Sequence, residues 1–229
     1  MTLVSDTTRR LPVPRSSRLL LPLAAVLAAA VGIGFGIGLH IALRSQPVTS
    51  EPALPAVHGQ AVWPAGKRRA PAFSLKDQNG SLVSLAAQQG RPAIVAFMDP
   101  LCRQECPIEG RGISLAVRQL APAQRPAILI VSVNPKALAV DAKIAARKWG
   151  IKGDWHWLLG SHAQLAPVWR AYGITVLPKT HDIVHSTAIY VVDREGFERA
   201  GFIAPFLPQF VADDLRLLAR ARPKHPVAR

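Results

Sequence analysis

The stretch Ala93-Ile94-Val95-Ala96-Phe97-Met98-Asp99-Pro100-Leu101-Cys102-Arg103-Gln104-Glu105-Cys106-Pro107 sets the frame for the rest of the chain. Its first five residues form a short, wholly apolar run, as expected of a strand buried on both faces. The only two cysteines of the 229-residue chain follow that run directly, four positions apart. Positions i and i+4 share one face of a helical turn, so the two thiols can close a small disulfide or grip one soft metal ion. A purely structural disulfide is the weaker use, because so short a loop gains little chain-entropy stabilisation.

Working outward, Phe73–Leu75 and Leu82–Leu85 flank a Gly-containing turn and predict a β-hairpin. Glu109 to Leu120 predicts a helix, Ala127 to Val133 a second buried strand, and Lys136 to Trp149 a second helix. His162 to Tyr172 predicts a third helix. Ser186 to Val192 and Phe197 to Ile203, joined by Asp193-Arg194-Glu195-Gly196, predict a second hairpin, and Leu207 to Ala221 an amphipathic closing helix. This order implies an α/β fold, a mixed sheet with flanking helices on both faces. A cysteine pair just past the first buried strand, entering the first helix, resembles the thioredoxin-like arrangement.

Hydrophobic residues make up 49% and charged residues 18% of the chain, enough apolar material for a packed core. Leu19 to Leu43 contains no Asp, Glu, Lys or Arg and is long enough for a bilayer core of about 30 Å. It exceeds a signal-peptide apolar region of about 7–15 residues and ends without a small-x-small cleavage site, so a transmembrane anchor is expected. Arg9, Arg10, Arg15 and Arg18 precede it, which leaves the N-terminus in the cytoplasm and the remainder outside, at a cell (inner) membrane in the periplasmic or extracytoplasmic space. Gly32, Gly34, Gly36 and Gly38 provide small-xxx-small pairs that allow a weak homodimer. The expected organisation is a cytoplasmic N-terminus (1–18), an anchor (19–43), a Pro-rich linker (44–70), a domain (71–221) and a basic tail (222–229). The net charge of +14 fits anionic headgroups or an acidic partner protein. With that topology and no recognised motif, nucleic acid is not expected.

Three chemistries compete for the sulfurs. Thioredoxin-type exchange normally uses Cys-x-x-Cys, one residue shorter, with a proline before the later hairpin; His185-Ser186-Thr187 stand there instead. A peroxidatic cysteine wants Pro-x-x-x-Thr/Ser-x-x-Cys, whereas Val95 and Asp99 occupy those places. A soft-metal site remains: thiolates select ions such as Cu(I), and an imidazole completes a trigonal set that also tolerates Cu(II). His185 is the candidate imidazole. His181, His156 and Met98 are secondary candidates, each read first as a solvated or packing residue, and Asp99 and Glu105 read as exposed loop acids. Trp149, Trp155, Trp157 and Trp169 read as core or rim packing.

The cysteine motif with its following proline, Val131-Ser132-Val133-Asn134-Pro135, and His185-Ser186 ahead of Ile189-Tyr190-Val191-Val192-Asp193-Arg194-Glu195-Gly196 together resemble the Sco/SenC family over about residues 70–220. The resemblance implies a membrane-anchored, thioredoxin-like copper chaperone of cytochrome c oxidase assembly, with Cys102, Cys106 and His185 binding one copper ion, Cu(I) or Cu(II). It implies delivery to the oxidase's binuclear copper site, with the copper-site subunit as partner and another copper chaperone or a thiol reductase as a further one. The alternative is an anchored thiol–disulfide oxidoreductase, with Cys102 and Cys106 as the redox-active pair, that reduces the oxidase's copper-site cysteines or other exported proteins. Three features depart from the family's habit: Met98-Asp99-Pro100-Leu101 replaces an aromatic-rich lead, Asn134 replaces an Asp, and Val184 stands where an Asp often precedes the histidine.

Overall fold

The computed structural model describes residues 57–180 and 182–221. The expected anchor at 19–43, His181 and the tail at 222–229 lie outside the described residues; among the described ones no helix is long and apolar enough to cross a membrane.

Three parallel strands form the heart of the domain: β4 (Ala93–Met98), β5 (Ala127–Ser132) and β6 (Trp155–Leu158). Antiparallel to β4 runs β9 (Ala188–Val192), followed by β10 (Glu198–Ile203) and the short β1 (Ala61–Val62). The sheet order is β1-β10-β9-β4-β5-β6. Every residue of β4 and β5 is buried, as their unbroken apolar runs require. Pleating sends alternate residues to opposite faces. Ile94, Ala96 and Met98 pack with α1 (Glu105–Arg118), α2 (Ala139–Trp149) and α4 (Pro208–Arg220). Val95 and Phe97 pack with α3 (His162–Ala171) and with the hairpin of β2 (Ser74–Lys76) and β3 (Leu82–Ser84).

The sequence misplaces several boundaries for identifiable reasons. Helix α1 starts at Glu105, not Glu109, so Cys106 is helical; Pro107 sits in the first turn, where a missing N–H costs nothing. Helix α2 starts at Ala139 rather than Lys136, because the Asp141 carboxylate accepts the Leu138 N–H at 2.9 Å and caps the helix there. Several short strands went unread. Strand β6 is short, with His156 amid tryptophans that read as packing residues. A two-stranded ribbon, β7 (Val176–Pro178) and β8 (Ile183–His185), is disguised by Pro178 and a polar turn, and it pairs Val176 with His185.

Residues 57–70, expected within the linker, pack on this domain. The strand β1 covers the edge of β10, Trp63 N–H donates to the Arg199 carbonyl at 3.0 Å, and Ala70 is buried. His58 donates its backbone N–H to the buried Asp214 carboxylate of α4 at 2.9 Å, and its ring stacks on Phe210. Composition conceals this, since short edge pairing needs little hydrophobic patterning.

Candidate metal centre

The two cysteines sit where β4 ends and α1 begins. Asp99, read as an exposed acid from sequence, is buried at 4% exposure and organises the loop. Its carboxylate accepts the Leu101 N–H at 2.9 Å, its carbonyl accepts the Cys102 N–H at 3.1 Å, and its own N–H donates to Cys106 Sγ at 3.5 Å. Asn134, at the end of β5, donates its side-chain amide to both Asp99 oxygens at 3.1 and 3.3 Å. An aspartate at 134 would place a second carboxylate there, so the departures at 99 and 134 fit each other as donor and acceptor.

Cys106 is fully buried and Cys102 is half-buried; both are free thiols. Cys106 is the hub. Its sulfur lies 3.3 Å from His185 Nε2, and it also hydrogen-bonds the Cys102 sulfur. The Ser186 carbonyl stands 2.9 Å from His185 Nδ1, so Nδ1 carries the proton and donates it there. The lone pair of Nε2 therefore points at Cys106, the orientation that a second hydrogen bond gives a metal-ligating histidine.

The sulfurs are electrostatically unlike. The hydrogen bond from Cys106, helped by the N–H groups of Cys106, Gln104 and Glu105 at the start of α1, lowers the Cys102 pKa to about 5 against the opposing effect of burial. The Cys106 thiol is raised, first by that same bond and then by burial. Cys102 is thus a thiolate at neutral pH and Cys106 a thiol whose single hydrogen faces two acceptors.

The structure brings Cys102 and His185 together pairwise through Cys106. As placed, no three His, Cys, Asp or Glu side chains among the described residues are gathered closely enough to hold a metal ion. Of the secondary candidates, Met98 is fully buried core, and His156 is engaged with Asp77 at 3.0 Å and Asp154 at 3.1 Å. Glu105 is exposed, as expected. Trp149, Trp157 and Trp169 are buried, and Trp155 packs on the core. A cavity of about 690 Å³ borders His185 beside Trp63 and Tyr190 but includes neither cysteine. Sequence reading missed Glu109, one turn beyond Cys106 on α1. Its carboxylate is buried without a hydrogen-bond partner, and burial, then the Cys102 charge, pushes its pKa up to about 8. Its spacing of three from Cys106 was the available signal.

A mixed six-stranded sheet with a dithiol at the head of the first crossover helix, and a histidine against one sulfur, defines a thioredoxin-like protein suited to thiol or soft-metal chemistry. The SCO1/SenC family model matches residues 64–219, well over half of the chain, and the chain belongs to that family. No curated protein matches it in sequence. Among solved structures, copper-bound ScoI of Bradyrhizobium japonicum is 25% identical, covering 66% of this chain and 99% of its own with a TM-score of 0.56. Yeast Sco1 with copper bound is 17% identical, covering 69% of this chain and 91% of its own (TM-score 0.59). BsSco, a Sco-family cytochrome c oxidase assembly protein in which a disulfide switch was identified, is 17% identical, covering 71% of this chain and 100% of its own (TM-score 0.59). At that identity the last two bear on the fold alone.

Proposed function

We propose that this chain is a membrane-anchored, extracytoplasmic protein that takes up one copper ion through Cys102, Cys106 and His185. It then passes the ion to the binuclear copper site of cytochrome c oxidase during assembly. The observation that carries the reading is the 3.3 Å approach of His185 Nε2, its lone pair turned to Cys106 Sγ, beside the second sulfur of Cys102. Two sulfurs and an imidazole are the donor set that soft Cu(I) selects and Cu(II) tolerates. Membership of the SCO1/SenC family and the copper-bound ScoI relative support it. Copper is cargo here: Cys102 offers a thiolate on the accessible side, while Cys106 must release its proton as the ion enters, so affinity rises with pH. Copper stoichiometry and visible absorption of the reduced protein test the reading. One copper per chain, with a thiolate-to-Cu(II) band lost in both His185→Ala and Cys102→Ser, is expected; no stoichiometric copper overturns it.

The division of the sulfurs favours a second reading, a thiol–disulfide reductant of the oxidase copper site. The Cys102 thiolate would attack a partner disulfide, forming a mixed disulfide and expelling one partner thiolate. Cys106 would then lose its proton and attack the Cys102 sulfur, closing the Cys102–Cys106 disulfide and releasing the second partner thiol. The partner gains two electrons and this chain loses two. His185→Ala separates the readings, because it abolishes the copper band yet leaves measurable exchange with a disulfide substrate.

A further inference from the structure

The charges of the domain are distributed unevenly along its strands, and the asymmetry points away from the cysteines. Strands β4, β5 and β6 all run toward the sulfur end, so the loops that precede them meet at the opposite pole. Those loops carry Arg91, Arg125 and Lys152; the chain ahead of β2 adds Lys67 and Arg69, and the β9–β10 turn adds Arg194. Hydrogen bonds join them into one continuous rim. Arg194 Nε donates to the Gly90 carbonyl and Gly90 N–H to the Arg194 carbonyl, both at 2.8 Å. Ala70 N–H donates to Gly196 at 3.0 Å, Ala127 N–H to Pro92 at 3.1 Å, and Ile128 N–H to Asp154 at 2.9 Å.

Helices α1, α2 and α4 end at this pole as well, with Arg118, Lys148 and Arg220 in their last turns. Those three are explained in part by the negative ends of their helix dipoles. The six loop cations are explained otherwise only in part: Arg91 pairs with Asp154, Arg194 donates to the Gly90, Ala219 and Ala221 carbonyls and Arg69 lies over the Phe197 ring, while Lys67, Arg125 and Lys152 face no helix end. The acids nearby are Asp154, engaged with Arg91, Glu198 with Arg68, Asp193 with Arg199 at 3.6 Å, and Glu195 in the β9–β10 turn. At the sulfur end acids and bases are mixed, with Lys76, Arg103, Lys136 and Lys179 among Asp99, Glu105, Asp141 and Asp182.

We infer that this basic pole is a docking surface for anionic lipid headgroups, which holds the domain with its dithiol and His185 turned away from the bilayer. The inference rests on the membrane-anchored reading; the described chain enters the domain at the sulfur end, where His58 meets Asp214 and β1 begins to run along β10, so the segment ahead of residue 57 has to pass back along the domain for the pole to meet a bilayer. Each cation on an anionic surface is worth about a fivefold gain in partitioning, so several together outweigh the cost of orienting the domain. Six residues of β4 at roughly 3.3 Å each would then lift the sulfurs on the order of 20 Å above the headgroups.

The test reconstitutes the full chain in nanodiscs of phosphatidylglycerol or of phosphatidylcholine and measures lysine acylation by mass spectrometry. Lys67 and Lys152 report on the basic pole, and Lys136 and Lys179 on the opposite end. Acylation of Lys67 and Lys152 is expected to slow about fivefold or more in the anionic discs only. High salt restores it, as does the combined variant Arg69→Gln, Arg118→Gln, Arg125→Gln and Arg220→Gln. Equal acylation in the two lipids, or protection of Lys136 and Lys179 instead, overturns the proposal. Failure of the anchor is read separately, as release of the chain from phosphatidylcholine discs in high salt.

Discussion

Two sulfurs that lie beside each other differ here because of what surrounds them. Cys102 receives hydrogen bonds from Cys106 and from the first amides of α1, whereas Cys106 is enclosed. Iodoacetamide is therefore expected to alkylate Cys102 at nearly full rate at pH 7, with the rate halving near pH 5, and to spare Cys106 in the folded protein. The folded pKa of Cys102 lies below its ordinary value of 9.0, so its stabilising contribution is complete above pH 9 and is lost as pH falls to about 5. Glu109 has the opposite sign. Its folded pKa, about 8 against an ordinary 4.5, makes the protein lose stability as pH rises across that interval. Glu109→Gln should remove that slope and raise stability at pH 8 by a few kcal/mol, on the order set by about 1.4 kcal/mol per pKa unit. Urea midpoints at pH 5 and pH 8 check it; an unchanged slope would sink the assignment. The sequence exposed the cysteines through their spacing and His185 through its place where a thioredoxin carries its proline. It concealed Asp99 and Glu109, because a lone acid beside a loop or near a helix start ordinarily faces water, and only tertiary packing shows otherwise.

At the scale of elements, the helix that carries Cys106 is held close to its neighbour by one missing side chain. A Cβ on Gly110 would lie 2.6 Å from Trp149 Cε3 and 3.2 Å from its Cβ, with the indole already buried. Gly110→Ala gains about 1 kcal/mol of helix propensity but forces apart α1 and α2, at a cost of about 1–3 kcal/mol. Net destabilisation is expected, measurable by urea unfolding, with a changed near-ultraviolet circular dichroism because Trp149 packs on Trp157 at 5.5 Å. Long apolar runs made β4 and β5 legible, and turn chemistry made the β2–β3 and β9–β10 hairpins legible. The ribbon of β7 and β8 was not, since three-residue strands around Pro178 carry no periodicity to read. That ribbon delivers the histidine of the site, so the position of His185 was foreseen while its support was not.

At the scale of the whole domain, the segment ahead of β2 protects the sheet. Ala61 and Val62 pair with Gly201 and Ala200, covering the outer edge of β10. Removing residues up to Pro64 should leave that edge open, and edge strands recruit other chains. Concentration-dependent association in sedimentation velocity is the expected outcome, and a strictly monomeric truncated protein would show that β1 has no such role. The sulfurs and the histidine are also attached to different parts of the fold. Cys102 and Cys106 follow a central strand and are tied to β5 through Asp99 and Asn134. His185 ends a ribbon outside the six-stranded sheet, fastened by Ser186 N–H to the Thr175 carbonyl at 3.0 Å and by Val176 and Ile183 against the core. Amides of the ribbon should exchange with solvent faster than those of residues 94–98, since local opening follows the number of buried contacts. A bound ion would then be gripped as by a hemilabile chelate. If Cys102, Cys106 and His185 hold the ion as proposed, the imidazole arm could swing off while both sulfurs stay in place, which would open one position to an incoming donor.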